Sequence, residues 1–264
     1  MTNISFKIVY SKNEGLVLSP SELLERYFFG IPICTKDGRA LSMDVVKSKI
    51  LAAQEITEKM FMIKLNRTVI TEDLDFIRSE WNSWGYVKAS YPAEKIIAFE
   101  GFINTTKQIK YPLEWVSNTK KSDENLYYRT IHLVPAGSTS AVTSSSVVFS
   151  GITPHLGFLG LDSIPNYWSV KYSTGFHNNI PHDLIDFVGK LASIQILGIL
   201  GDILSGIGVT STSLSFDGLS QSIATARGGT NSLFGARMLQ YLNECKEQRK
   251  FYENFYKGIT FAAL

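Results

Sequence analysis

A few side-chain groupings in this chain have types and spacings that could carry chemistry. Of the four histidines, His132, His155, His177 and His182, only the last two lie close together. Imidazoles bind a metal readily when a helix sets them on one face. His177 and His182 stand five apart across Pro181, so they read as a turn histidine and a first-turn histidine. Asp183 and Asp186 fall on one helical face, and paired carboxylates can exchange protons with a substrate. Here a helix start explains Asp183, because the dipole favours an anion there, and solvation explains Asp186. Gly228-Gly229 ahead of a helix could seat an anion. It lacks the lysine and spacing of a phosphate loop and reads as a break plus turn, with Arg227 as a surface or interface cation. No serine sits in a nucleophile elbow, and neither Cys34 nor Cys245 has a histidine nearby. No catalytic, cofactor-binding or metal-ligating residue is expected, and the chain reads as a non-enzyme.

Two further groupings could bind without catalysing. Tyr127, Tyr128, Phe149, Phe158, Tyr167 and Trp168 could form a stacking platform for sugars or bases. They read first as a core or a subunit interface. Lys107, Lys110, Lys120 and Lys121 cluster loosely. They read as a solvated loop or, more sharply, as a surface facing DNA or a lumen.

Composition bounds these readings. The chain has 264 residues, 44% hydrophobic and 19% charged, enough for a sizeable core and unlike a disordered chain. A formal net charge of +2 is far from the basic excess of a protein that grips nucleic acid by its phosphates. Two distant cysteines exclude a disulfide framework. Met1–Tyr10 alternates polar and apolar residues and is not a signal peptide. Leu191–Gly201, the uncharged run of the most apolar helix candidate, is shorter than the ~20 residues a bilayer span needs. A soluble protein of a reducing cytoplasm, with no membrane contact, is expected.

The elements that must position these residues follow from pattern. Ser19-Pro20 starts a short helix to Phe29. Ser42 caps a helix to about Leu65, with Val46, Ile50, Ala53, Ile56, Met60 and Ile63 on one face. Thr71, with Glu72 and Asp73 behind it, caps a second helix to Trp84. From Tyr86 the chain turns β-rich, with strands at Lys95–Phe102, Leu126–Val134, Val142–Ser150 and Tyr167–Tyr172. Trp168, Val170 and Tyr172 share one face by alternation, and Gly175 permits a turn with positive φ. Pro181 and Asp183 then open a long helix. It is apolar on most of its circumference, so it must be covered on all sides, with Gly189, Gly198 and Gly201 letting other backbones approach. A Gly/Ser-rich break (Ser205–Ser215), a short helix (Ser220–Arg227) and a final helix to about Lys257 follow. Phe234, Met238, Tyr241 and Cys245 form the stripe of that last helix. Ile259, Phe261 and Leu264 lie in an apolar tail that either packs down or inserts into a partner.

The fold class is therefore α+β: a helical scaffold of three main helices with an inserted antiparallel β domain, a small sandwich or barrel. The expected division is 1–85 and 176–264 for the two helical parts and 86–175 for the β domain.

Tyr172, Thr174, Gly175 and Phe176, then Ile180, Pro181, Asp183 and Leu184, form a strand ending in Tyr-x-Thr-Gly-Phe and a helix opening with Ile-Pro-x-Asp-Leu. This element resembles the head-to-tail connector (adaptor) proteins of tailed bacteriophages. The helix Ser42–Leu65, with Ala52-Ala53 and Glu55, is similar to that family's first helix. Small connectors have only a short β hairpin where this chain has Tyr86–Asn166, and this chain adds a C-terminal helix and tail. The resemblance implies a ring homo-oligomer, commonly twelvefold, beneath the portal protein in the virion neck, assembled in the host cytoplasm. That ring would continue the DNA channel, pass double-stranded DNA without sequence-specific binding, and give other neck or tail proteins a platform. The helices would build the ring, and Ile259, Phe261 and Leu264 would dock on the portal. Other expectations are a tail-completion or baseplate subunit and, in a different class, a carbohydrate-binding module using the β-region aromatics.

Overall fold

Ser19 accepts a hydrogen bond from the Glu22 amide while the Glu22 carboxylate accepts one from the Ser19 amide, a reciprocal cap with Pro20 in the first turn. This opens α1 (Pro20–Tyr27) in a computed structural model that describes residues 4–8, 15–31, 33–34, 38–84, 86–104, 107–120, 127–133, 162–176, 180–205, 209–215, 220–225 and 233–256. Helix and strand are mixed, the sheets are antiparallel, and the fold is α+β. Two compact units make up the chain: Met1–Ser11 with Met62–Asn178, and Lys12–Phe61 with Asn179–Leu264. Residues 62–85 thus belong with the β-rich segment, not with the helices expected over 1–85.

The first unit holds β1 (Ile4–Ile8), β2 (Thr68–Ile77), α3 (Arg78–Trp84), β3 (Tyr86–Lys88), β4 (Lys95–Asn104), β5 (Lys107–Lys110), β6 (Val116–Lys120), β7 (Tyr127–Leu133) and β8 (Ser163–Thr174). Five strands pair in the order β1-β2-β8-β4-β5 and three in the order β3-β7-β6. The expected helix from Thr71 is instead the end of β2, and helix begins only at Arg78. Thr68, Ile70 and Glu72 face inward by strict alternation. A glutamate at the third inward position breaks the apolar pattern and mimics a helix start. The strands expected at Lys95–Phe102, Leu126–Val134 and Tyr167–Tyr172 correspond to β4, β7 and β8, while Val142–Ser150 lies outside the described residues.

Residues of both sheets share one core. Ile70, Phe99, Trp168, Val170 and Tyr172 come from the larger sheet and Val87, Ile131 and Leu133 from the smaller. Trp168 is its aromatic centre, with ring centroids of Trp81 and Phe99 at 5.2 Å, Tyr111 at 5.7 Å and Tyr167 at 4.6 Å. Tyr167 and Trp168 both point inward although they are consecutive. The β2–β8 register shifts between Leu74 and Phe76 and Asn166 has φ +51°, the signature of a bulge that re-aims a side chain.

The second unit holds α1, α2 (Met43–Phe61), α4 (His182–Ser205), β9 (Val209–Ser215), β10 (Ser220–Thr225) and α5 (Gly235–Tyr256). Helix α2 stops four residues short of the expected Leu65, where Met62 takes a left-handed conformation of φ +54°. Val46, Ile50 and Ala53 are buried as expected, but Thr57 and Phe61 continue the stripe and Ile56 is exposed. Gln54, buried on the same helix, donates to the Gly15 carbonyl and accepts from the Val17 amide, so one amide group pins an extended segment in both directions. The short helix expected at Ser220–Arg227 is strand β10, paired antiparallel to β9. Asp217-Gly218 between two alternating Ser/Thr runs was the signal for a hairpin.

Along α4 the buried residues are Leu184, Phe187, Val188, Ala192, Ser193, Ile196, Leu197 and Leu200. Ile185, Leu191, Ile194 and Ile199, spread around the helix, are only half-buried, and Ile203 is exposed. Full cover on all sides is thus absent among the described residues. His182–Leu204 is long and apolar enough to cross a membrane by length and composition, and 61% of its most apolar stretch is buried within the protein. Phe61 and Phe187 stack at 5.3 Å, and Tyr252 joins both at 5.9 and 5.8 Å.

Candidate functional site

Strand β8 delivers the chain to Gly175, and α4 takes it onward from Ile180. Gly175 has φ +98°, and a side-chain carbon there would fall on the Asn66 carbonyl, 2.7 Å from its carbon and 3.1 Å from the Arg67 Cα. Phe176 donates its amide to the Leu65 carbonyl at 3.3 Å and pairs with Asn66 in a parallel bridge. Gly175 is therefore required twice, for its backbone conformation and for this close approach. Residues 177–179, including His177, lie outside the described residues. The boundary between the two compact units falls between Asn178 and Asn179.

Pro181 stands just ahead of α4, and its carbonyl accepts the Ile185 amide at 3.2 Å, the first bond of the helix. Asp183 lies in the first turn and accepts the Tyr256 hydroxyl from α5 at 2.8 Å. It fixes the two helices to each other as well as complementing the dipole. His182, at the helix start, is exposed. Asp186 is not simply solvated: its carboxylate accepts the Tyr27 hydroxyl at 2.9 Å and meets Lys190 at 2.6 Å. Lys190 also meets Glu244 at 2.8 Å. Burial pulls the Lys190 ammonium down, but the hydrogen bonds it donates to Asp186 and Glu244 outweigh this and its pKa is raised. The Lys190 bond in turn lowers Glu244. Burial, then Asp186, raises the Tyr27 hydroxyl. The i,i+4 pair Asp186–Lys190 was legible from spacing; the Glu244 partner was not.

Gly189 and Gly198 admit side chains, not backbones. A Cβ on Gly189 would meet the Tyr27 ring at 2.5 Å, and one on Gly198 the Met238 methyl at 3.7 Å. Tyr27 sits edge-on to Tyr241 at 6.1 Å, and Tyr241 donates to the Tyr27 carbonyl at 3.1 Å. These contacts hold α1, α4 and α5 together around one small residue.

The remaining candidates are dispersed. Lys110 is exposed and meets Glu100 at 3.9 Å. Lys107 and Lys120 lie at the ends of β5 and β6. Lys121 and the tail residues Ile259, Phe261 and Leu264 lie outside the described residues, as do Phe149, Phe158 and Gly228-Gly229. Of the aromatics considered for a stacking platform, Tyr167 and Trp168 are 0% and 1% exposed. Neither can present a face to a ligand. Compared with known proteins, the chain matches no family model and no curated sequence.

A buried polar pair went unseen in the sequence. Glu72 and Tyr172 are both fully buried. The Glu72 Oε1 accepts the Tyr172 hydroxyl and the Ser90 amide, each at 2.9 Å, and the Tyr172 oxygen accepts the Tyr91 amide at 3.2 Å. Burial, then the neighbouring Glu72 charge, raises the Tyr172 hydroxyl far above its ordinary range. The pair ties the segment after β3 to strands β2 and β8. Its chemistry is that of a core fastening.

Proposed function

We propose that the chain is a virion structural adaptor: a subunit of a ring that docks beneath a portal, continues its DNA channel and offers a platform to tail or other neck proteins. The observation that carries this reading is the strand–turn–helix at Trp168–Leu184. Its glycine is locked by backbone contact and its aspartate is committed to a helix–helix bond. A subunit with such a junction transmits position and does no chemistry.

Three observations support it. The half-buried apolar residues of α4, Ile185, Leu191, Ile194 and Ile199, leave apolar surface for a neighbour, as a self-continuing ring interface requires. On the last turns of α5, Phe251 is 75% exposed and Phe255 is 36% exposed, immediately before the apolar tail. Apolar side chains beside a segment without charged side chains suit insertion into a partner. A net charge of +2 suits a channel that must let the duplex slide. In this reading Ile259, Phe261 and Leu264 dock on the portal, and Lys107, Lys110, Lys120 and Lys121 are the candidates for a lumen-facing surface.

Co-sedimentation with the portal tests the docking. A chain lacking Ile259–Leu264 is expected to lose portal binding while keeping its helical content, and unchanged binding would refute the docking claim. Electron microscopy of the chain with the portal separates an adaptor ring from a tail-completion or baseplate subunit.

A further inference from the structure

The polar hairpin β9–β10 lies between two helices of the second unit and stands as a two-stranded sheet, with no third strand among the described residues. A two-stranded ribbon is marginal alone in water. Among the described residues, each strand also leaves one row of backbone N–H and C=O groups without a ladder partner. Proteins commonly guard such edges with lysine. The edge strands of the other two sheets follow that rule: β1 contains Lys7, β5 contains Lys107 and Lys110, β3 contains Lys88 and β6 contains Lys120. The hairpin strands, Val-Thr-Ser-Thr-Ser-Leu-Ser and Ser-Gln-Ser-Ile-Ala-Thr, contain no charged residue and no proline. A second copy approaching β1, β3, β5 or β6 would bring lysine against lysine. A second copy pairing with β9 or β10 meets no charged residue of the strand itself.

We propose that β9–β10 is a strand-addition surface for a second copy of this chain, with the outer edge of β10 pairing to the outer edge of β9 in the next subunit. Strands β9 and β10 run antiparallel, so the series β9-β10-β9-β10 is antiparallel at every step. The contact between subunits repeats the pairing already made within one. Such a contact is head-to-tail, and a head-to-tail contact closes into a ring when the rotation per subunit permits. The closure rests on the ring reading above; the pairing itself requires only that copies meet.

The test uses the full chain without portal protein, by sedimentation velocity and amide hydrogen exchange over a range of concentrations. Wild type is expected to self-associate, with exchange in residues 209–225 slowing as it does so. Ser211→Lys with Ser222→Lys puts a cation on each strand. It is expected to keep the circular dichroism of wild type and weaken association by about twofold to fivefold, since Ser222 pairs with Ser213 and Ser211 with Ala224, which sets the two lysines on a diagonal across the new contact. Ser211→Glu with Ser222→Lys puts opposite charges on the two edges and is expected to restore association. Like-with-like pairing of β9 edges would not be restored. Wild-type association by the double-lysine chain overturns the proposal, and so does a wild type that stays monomeric. Slow exchange that ignores concentration also overturns it, since the third strand then comes from the chain itself or the hairpin needs none. Portal co-sedimentation of the same variants reports separately on the adaptor reading.

Discussion

Replacing Gly175 by alanine probes the turn at two levels at once. At φ +98° an L-residue carries a conformational penalty of about 1–2 kcal/mol. The added carbon also lands on backbone, 2.7 Å from the Asn66 carbonyl carbon, and backbone cannot swing aside as a side-chain tip can. The 65–67 segment must therefore move, and the bond from the Phe176 amide to the Leu65 carbonyl is lost, a further ~0.5–1.5 kcal/mol. A total of about 1.5–3.5 kcal/mol would remove a large part of a typical domain stability of about 5–15 kcal/mol. All four tryptophans, Trp81, Trp84, Trp115 and Trp168, lie in the unit that contains Gly175. Urea unfolding followed by tryptophan fluorescence thus reads the affected unit directly. Gly30→Ala is the control, because Gly30 has φ +77° with nothing within 4 Å of its would-be Cβ. It carries the conformational penalty alone, read by circular dichroism. If Gly175→Ala costs no more than Gly30→Ala, the backbone-clash argument is wrong. Gly175→Val is expected to lose folding and assembly together; a variant that folds normally and fails only in a chemical assay would refute the adaptor reading.

Tyr172→Phe leaves Glu72 and the Tyr91 amide short of a partner in a fully buried place, and a loss of about 1–3 kcal/mol is expected in the same fluorescence assay. A neutral result would show that water reaches the pair. Cys245 is buried, and burial pushes its thiol up to about 11, whereas Cys34 is half-buried. A thiol reagent is expected to modify Cys34 in the native protein and Cys245 only after denaturation. The folded state holds the Cys245 proton more tightly than the unfolded state, whose thiol ionises near 9.0. Its stabilising contribution is therefore complete below pH 9 and falls as pH rises toward 11. Cys245→Ala is expected to flatten that part of the circular-dichroism stability profile, and an unchanged slope would show that other groups set it.

How far the sequence could be read depended on whether local pattern and tertiary demand agreed. The Ser19 cap, the Gly175 turn, the start of α4 and the stripe Met238–Tyr241–Cys245 are local signals, and the chain realises each of them. Strand β2 was misread because Glu72 occupies an inward position that only Tyr172 and the Ser90 amide, far along the chain, make tolerable. The apolar spacing of α2 runs on through Ile63, so pattern alone overextends the helix, while Ile63 joins β2's unit. The tie of Lys190 to Glu244 depends on how α4 meets α5, which no spacing within either helix reveals.

The division of the chain into interleaved units sets an order on its synthesis. The β-rich unit ends at Asn178, so it can close before the last third of the chain exists. The helical unit cannot. Phe61 at the end of α2 rests on Phe187, and about 120 residues separate α2 from α4. At ~5–20 residues per second, the apolar stripe of α2 waits about 6–24 seconds on the ribosome for its partner. During that wait Val46, Ile50 and Phe61 are open to any passing hydrophobic surface. A nascent chain of this protein is thus a natural client for chaperones that hold exposed helices, and its dependence on them should end once α4 has emerged.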